Sequence, residues 1–453
     1  MDRHVRVVTF TAGLAMLVTI AGPARAALAS AKVPAAGTAR SRGLAGHWKG
    51  QWVRDGSVLE LWADFTGPDS SASGSFGSDA LRALDIPFRS VRRDSAGVHW
   101  ELVGDAGTTA FDGRLEGDVL AGGSDDGTGR GRFRLARTVD QTAPPYAAED
   151  VTFLDGDVQL AGTLLVPRRA GPHPAIVFTH GSGAEGRWAS RWLADRFARE
   201  GFVSLVYDKR GVGESKGDWR RASFEDLARD AAAAVRMLAS DGRVRRRAIG
   251  LYGHSQGGTI APLVASQCAD VGFVIASAGI GVPMIDCERY SYSNHLGLPR
   301  LHGNDSLRAA AYVDLVVRTA YEGGDWARAD SAARANANEG WGGPVPARDD
   351  VYWWLSSRTA GFDAPAYWRR VRVPVLLVYG DRDERVPVGE SVRRIQAALR
   401  AGGDFDVTTR VFPGADHTFR IDAPPDGRFH WPRTPDGYLE TLTGWAHATV
   451  RRR

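Results

Sequence analysis

Five short apolar runs, at residues 175–178, 202–207, 248–252, 271–276 and 375–379, constrain this chain more than any other feature. Each is apolar at odd and even positions alike, so a strand made from it has no wet face and must be covered on both sides. The text between several of them has helical character, as in "RWASRWLADRFARE" and "SFEDLARDAAAAVRMLAS". Strands joined by helices that must cross over them give a mostly parallel sheet with helices on both faces, an α/β architecture. Just before the first run, "VTFLDGDVQLAGTLLVP" has the pattern of an antiparallel hairpin that opens the sheet.

The rhythm is interrupted between about 281 and 370. That segment lies between two sheet strands and holds eleven of the chain's Trp and Tyr residues, which number fourteen and eleven in all. We read it as a mainly helical cap with a loop-rich middle, placed where caps over open α/β sheets shape the entrance for a ligand. Many of these rings would simply stabilise the insertion. The predicted domain thus spans 151–450 with its cap at about 281–370.

The N-terminal text differs. From 46 to 137, short stretches such as "SVLELWADF" and "GVHWELVG" alternate with period two and are broken by Gly, Asp and Ser, with no amphipathic helix of ordinary length. This predicts a small all-β domain of antiparallel strands, a meander or incomplete barrel. Trp48, Trp52, Trp62 and Trp100 fit its core better than an exposed binding face. The proline and small polar residues of 138–150 suggest a linker.

Residues 1–26 read as a signal peptide. Arg3 and Arg6 precede the uncharged, mostly apolar run "VVTFTAGLAMLVTIAG", and "ARA" at 24–26 offers small residues at a cleavage site. The run falls short of the ~20 residues that span a bilayer comfortably, and no later run reaches that length, so no stable membrane span is expected. The expected location is outside the cytoplasm, periplasmic or extracellular. Export leaves two possibilities for Cys268 and Cys287, a disulfide or two free buried thiols. Eleven scattered histidines and two cysteines give no ligand spacing for a metal. The formal charge is only +4, and the dense basic runs are confined to 243–247 and 451–453, so a nucleic-acid face is not expected.

The chemistry concentrates in "GLYGHSQGGT", residues 250–259. Ser255 follows an apolar run and precedes text that can continue as a helix, with Gly253 and Gly257 two positions to either side. A serine on so abrupt a strand-to-helix turn needs minimal bulk at those two positions, which is the physical content of G-x-S-x-G. Together with "HGSG" at 180–183, "YGDRDERVP" at 379–387 and "GADHTF" at 414–419, the chain resembles an α/β-hydrolase over roughly 150–450. The resemblance is closest to exported esterase or dienelactone-hydrolase-like members and to serine aminopeptidase-like domains.

The resemblance implies a nucleophile, Ser255, an acid, Asp383, and a base, His417, in that chain order. Asp381 is the rival acid, read more simply as a turn residue, and Glu384 a weaker substitute. Asp416, adjacent to His417, is expected to cap its loop. The backbone N–H groups of Ser182 and Gln256 are the expected oxyanion donors, with His180 and His254 structural. "YDKRGVGESKG" at 207–217 lacks the lysine and hydroxyl order of a phosphate loop and is read as an ion pair and tight turn bracing the oxyanion side. The expected function is hydrolysis of a small carboxylic ester carrying an apolar or aromatic group, through an acyl-enzyme and without a cofactor. Serine aminopeptidase activity, or a noncatalytic protein that binds carbohydrate or lipid, are the alternatives.

Overall fold

A computed structural model describes residues 43–104, 107–138, 143–403, 406–421 and 426–452. The signal peptide expected at 1–26 lies outside the described residues. The chain divides into two compact units, one built from the N-terminal region up to Ala143 with a return segment, Ala423–Pro432, and the other from most of the remainder.

The first unit is one curled antiparallel sheet of nine strands: β1 (Gly46–Arg54), β2 (Ser57–Thr66), β3 (Ser73–Ser78), β4 (Ala83–Pro87), β5 (Ser90–Arg93), β6 (Val98–Gly104), β7 (Gly107–Glu116), β8 (Val119–Asp125) and β9 (Arg130–Thr138). Their spatial order, β4-β3-β2-β1-β9-β8-β7-β6-β5, brings β1 against both β2 and β9, so the sheet curls into a half-barrel. The period-two pattern decides which face turns inward. Leu59, Leu61, Ala63 and Phe65 of β2 and Val98, Trp100 and Leu102 of β6 are buried, while their neighbours are not. Trp48, Trp52 and Trp100 belong to this core, and Trp62 points to the partly exposed face.

The return segment is a correction to the sequence reading, which assigned all of 151–450 to the α/β domain. Trp431 packs 4.6 Å from Trp52, centroid to centroid, and donates through Nε1 to the Ser57 carbonyl at 3.2 Å. Arg54 lies over the Phe429 ring at 4.0 Å. Trp431 is thus half-buried against the β core, and Phe429 packs edge to face on it at 4.8 Å.

The second unit carries an eight-stranded sheet: β10 (Tyr146–Asp155), β11 (Val158–Pro167), β12 (His173–Thr179), β13 (Val203–Tyr207), β14 (Val244–His254), β15 (Val271–Ser277), β16 (Val375–Gly380) and β17 (Val407–Phe412). The linker expected to reach residue 150 therefore ends earlier, because β10 starts at Tyr146, whose hydroxyl donates to the buried Asp195 carboxylate at 2.5 Å. The order is β10-β11-β13-β12-β14-β15-β16-β17. β10 and β11 form the opening hairpin, β11 meets β13 antiparallel, and β12 to β17 are parallel.

Helices α1 (Arg191–Arg199), α2 (Phe224–Ser240), α3 (Gln256–Gln267), α9 (Val388–Gly402) and α10 (Tyr438–Arg451) accompany this sheet. The start of α2 is fixed by a capping box in which Ser223 Oγ accepts from Asp226 N–H and Asp226 accepts from Ser223 N–H. Between β15 and β16 lies the cap, with α4 (Met284–His295), α5 (Gly303–Glu322), α6 (Trp326–Ala335), α7 (Val351–Thr359) and the short α8 (Ala364–Trp368). Residues 336–350 are its loop-rich middle. Tyr292, Tyr312, Tyr321, Trp341, Tyr352 and Trp368 are buried, so much of the aromatic content holds the insertion together. Among the described residues no helix is long and apolar enough to cross a membrane.

Candidate active site

Ser255 sits between the end of β14 and the first residue of α3, and the backbone pays heavily in conformation to put it there. Its φ of 54° and ψ of −114° lie in a region that L-residues rarely occupy, a strain of the order of 1–3 kcal/mol. The surroundings hold it in place. Its N–H donates to the Ser277 carbonyl at 2.8 Å. A Cβ on Gly253 would stand 2.3 Å from the Gly257 carbonyl, and one on Gly257 would stand 2.5 Å from Thr179 Oγ1 and 2.8 Å from the His180 carbonyl. The crowd of glycines is thus a consequence of backbone packed against backbone on both sides of the turn.

His417 lies in the loop after β17, and Asp383 in the loop after β16. His417 Nε2 is 3.0 Å from Ser255 Oγ, and its Nδ1 is 2.9 Å from Asp383 Oδ2. The carboxylate can only accept, so Nδ1 carries the proton and Nε2 is left to accept from the serine hydroxyl. The other carboxylate oxygen, Asp383 Oδ1, accepts from the N–H groups of Arg385 and Val386, both at 2.8 Å. Asp383 is 2% and His417 5% exposed, which keeps this pair in a low-dielectric setting where its charge and orientation count for most.

The rival acids occupy different places. Asp381 is exposed and accepts from Gly414 N–H at 2.6 Å, bracing the histidine loop from outside. Asp416 accepts from the N–H groups of Thr418 and Arg420, both at 2.8 Å, so it caps the loop that carries His417. The His254 ring lies 5.0 Å from that of His417, and its Nδ1 is 3.3 Å from Ser277 Oγ.

Ser182 and Gln256 lie on the two segments that meet beside Ser255, the loop after β12 and the first turn of α3. His180 is buried with Nε2 against the Tyr207 carbonyl, and burial followed by the nearby Lys209 charge lowers its pKa to about 3. A ring so hard to protonate is a fixed neutral strut. In the loop after β13, Asp208 accepts from Arg187 N–H and from its guanidinium, at 2.8 Å each, and Arg210 pairs with Asp230 at 2.7 Å. The bracing expected from "YDKRGVGESKG" is therefore a set of ion pairs to residues outside that stretch, with Arg187 holding Asp208 and Glu214, and Arg210 held by Asp155 and Asp230.

Contacts from α4 were not foreseen. Tyr290 donates its hydroxyl to the Asp383 carbonyl at 2.9 Å, Asn294 donates to the Glu384 carbonyl at 3.0 Å, and Cys287 Sγ donates to the Arg385 carbonyl at 3.3 Å. One face of this helix thereby staples the cap to the acid loop. Cys268 and Cys287 are both free and buried, which settles the alternative left open by their spacing. Among the described residues no group of three or more His, Cys, Asp or Glu side chains is disposed to hold a metal ion.

A parallel sheet with a serine on a strained turn after β14, an acid after β16 and a histidine after β17 defines an α/β-hydrolase. The chain belongs to the serine aminopeptidase S33 family, whose model matches residues 170–423, more than half of its length. It is similar to the quorum-quenching protein AidA of Acinetobacter baumannii, 32% identical over 25% of this chain and 38% of that protein. It is also similar to the esterase EstD of Thermotoga maritima, 26% identical over 37% of this chain and 42% of that protein. The chain thus matches less than half the length of these curated relatives. Among solved structures, the Pyrococcus furiosus esterase Pf2001 aligns with 70% of this chain and 96% of its own at 19% identity and a TM-score of 0.44.

Proposed function

We propose that the protein is a serine hydrolase that cleaves carboxylic esters through an acyl-enzyme. The observation that carries this reading is the continuous relay from Ser255 Oγ through His417 to Asp383, with heavy-atom spacings of 3.0 and 2.9 Å. In the forward step His417 Nε2 takes the serine proton as Oγ attacks the ester carbonyl, and Asp383 supports the imidazolium that forms. The oxyanion is received by the N–H groups of Ser182 and Gln256. His417 then gives the proton to the leaving alkoxide, and water activated by the same nitrogen releases the acid and restores Ser255.

A small substrate with an apolar or aromatic group suits the aromatic cap, and the name of the Thermotoga relative agrees with ester chemistry. The family description makes aminopeptidase action the rival reading. Against a peptide clamp in the cap core, Glu288 is only 1% exposed, too enclosed to receive a peptide amine. Incubation with a fluorophosphonate should label Ser255 and no other residue, and Ser255→Ala should abolish both the label and turnover of p-nitrophenyl acetate. Hydrolysis of aminoacyl p-nitroanilides faster than of matched esters would replace the ester assignment with the peptidase one. The leader-like residues 1–26 support export to the periplasm or medium, and N-terminal sequencing of the mature protein tests it.

A further inference from the structure

The chain has only four lysines among its 57 basic residues, and one of them, Lys209, is 2% exposed. A lysine kept inside a protein that otherwise uses arginine calls for a reason that an arginine could not satisfy. An ammonium is compact and offers three donors around one point, whereas a guanidinium is a wide planar fork. Around Lys209 Nζ stand three acceptors: the Gly181 carbonyl at 2.7 Å, the Gly183 carbonyl at 3.0 Å and Gln256 Oε1 at 2.9 Å. Two belong to the loop after β12 and the third to the residue that follows Ser255.

The planarity of the peptide unit turns these contacts into a statement about donors. In a trans peptide the C=O of one residue and the N–H of the next point in opposite directions. Drawing the Gly181 carbonyl onto Lys209 therefore fixes the N–H of Ser182 facing away from the ammonium. On the other segment, the grip on the Gln256 side chain steadies the first residue of α3, whose own N–H is the second expected donor. The Gly181 N–H is held separately by Glu185 Oε2 at 2.7 Å, so the start of the loop is tied at both polar groups.

We propose that Lys209 is the positioning residue of the oxyanion hole, fastening the Ser182 and Gln256 donors to one buried ammonium. This deepens the serine-hydrolase reading and rests on it. The ammonium also contributes a fixed positive charge behind the site where negative charge develops in the transition state. Its own charge is under pressure. Burial lowers its pKa to about 8, against the opposing pull of Glu185 in the oxyanion loop and Asp230 on α2. The other titratable groups around it are His180, held neutral, and Asp208, paired with Arg187. Below about pH 8 the lysine is charged and the hole is held by three donors. Above it one donor and the charge are lost, so turnover falls.

The test uses the full chain. Fluorophosphonate labelling of the wild type at Ser255 checks the underlying reading, and its failure would count against the hydrolase assignment itself. With labelling established, Lys209→Met should lower kcat by about 30-fold or more while KM changes less than about threefold, a part of the ~10²–10³ lost with a whole oxyanion donor. Affinity for phenylboronic acid, which binds the serine as a tetrahedral anion, should fall in proportion. A folded Lys209→Met protein with kcat within about threefold of wild type would overturn the proposal. Should that variant fail to fold, the wild type and Lys209→Arg decide by their pH profiles. The wild type should lose kcat on the alkaline side with a midpoint near 8, and Lys209→Arg, permanently charged, should have lower turnover without that limb. An identical limb in both, or a flat wild-type profile to pH 10, would reject the role.

Discussion

The two units treat buried charge in opposite ways. Among the described residues, the buried polar side chains of the β unit are Ser78 and Ser124, and its carboxylates and guanidinium groups lie at or near the surface. The α/β unit buries Asp195, Asp208, Lys209, Arg210, Asp230, Glu288, Asp383 and His417. Taking an ion out of water costs several kcal/mol unless neighbours offset it, so a fold that needs only cohesion does without. The β unit is held by rings and aliphatic side chains on one face of a curled sheet. In the α/β unit Lys209, Asp383 and His417 stand around the turn at Ser255, where a low dielectric makes each charge more effective, and the rest pair with partners elsewhere in the unit. Substitutions around Ser255 should therefore affect chemistry, and those in the β core stability alone.

The largest separation is expected at the acid loop. Asp383→Asn should lower ester turnover by ~10⁴-fold, the size the same change has in a serine-protease triad, because an amide neither fixes the useful tautomer nor supports the imidazolium. Asp381→Asn keeps an oxygen able to accept from Gly414 N–H at an exposed position and should leave turnover within about threefold. Rates measured across pH at matched folding decide between them, and a severe defect confined to Asp381→Asn would move the acid role there.

In the β unit the expected loss is of another kind. Trp100 is 3% exposed, stacks on Phe111 at 5.0 Å and meets Phe133 edge to face at 4.9 Å. Trp100→Ala should destabilise the β unit by ~3–5 kcal/mol in denaturant melts while turnover per folded molecule stays near wild type. A fall in turnover well below the folded fraction would break the division between the units.

Gly257→Ala acts on the turn that carries Ser255. The added methyl would meet Thr179 Oγ1 and the His180 carbonyl inside contact distance, and relief requires the Ser255 turn to move. A displacement approaching 1 Å costs on the order of 10²-fold in rate, so kcat per folded molecule should fall by about that factor, with ~1–3 kcal/mol lost in stability. Normal kcat would mean that the turn is more compliant than its close packing implies.

How far the sequence revealed these features depended on whether the signal was local. Five of the six parallel strands, β12 to β16, were legible because each holds a continuous apolar run, which β17 with its Thr-Thr-Arg centre lacks, and the glycines around Ser255 because a tight turn restricts its immediate neighbours. Lys209 was not, since its three acceptors lie 28, 26 and 47 positions away and two are backbone carbonyls, which leave no mark in residue type. The docking of Trp431 on Ser57 spans 374 positions and was equally hidden. The cysteine question turned on a separation in space that spacing along the chain does not supply. The one available clue to Lys209 was compositional, a rare lysine in an arginine-rich chain.

The smallest expected effect per pH unit concerns Glu288, the buried carboxyl of the cap. Its Oε1 accepts from Tyr352 at 3.1 Å, and burial raises its pKa from 4.5 to about 8 despite the nearby Arg385. Between those two values the folded protein holds a proton that the unfolded chain has released, so stability falls as pH rises through this window and levels off above about 8. Gln is the same size, keeps an oxygen to accept from Tyr352 and never ionises. Glu288→Gln should therefore melt like wild type below about pH 4 and gain on it inside the window by up to ~1.4 kcal/mol per pH unit, at ~2–4 °C for each kcal/mol in a domain of this size. Thermal melts of both proteins across the window measure it, and parallel slopes would show that the cap carboxyl does not ionise on unfolding as its burial requires.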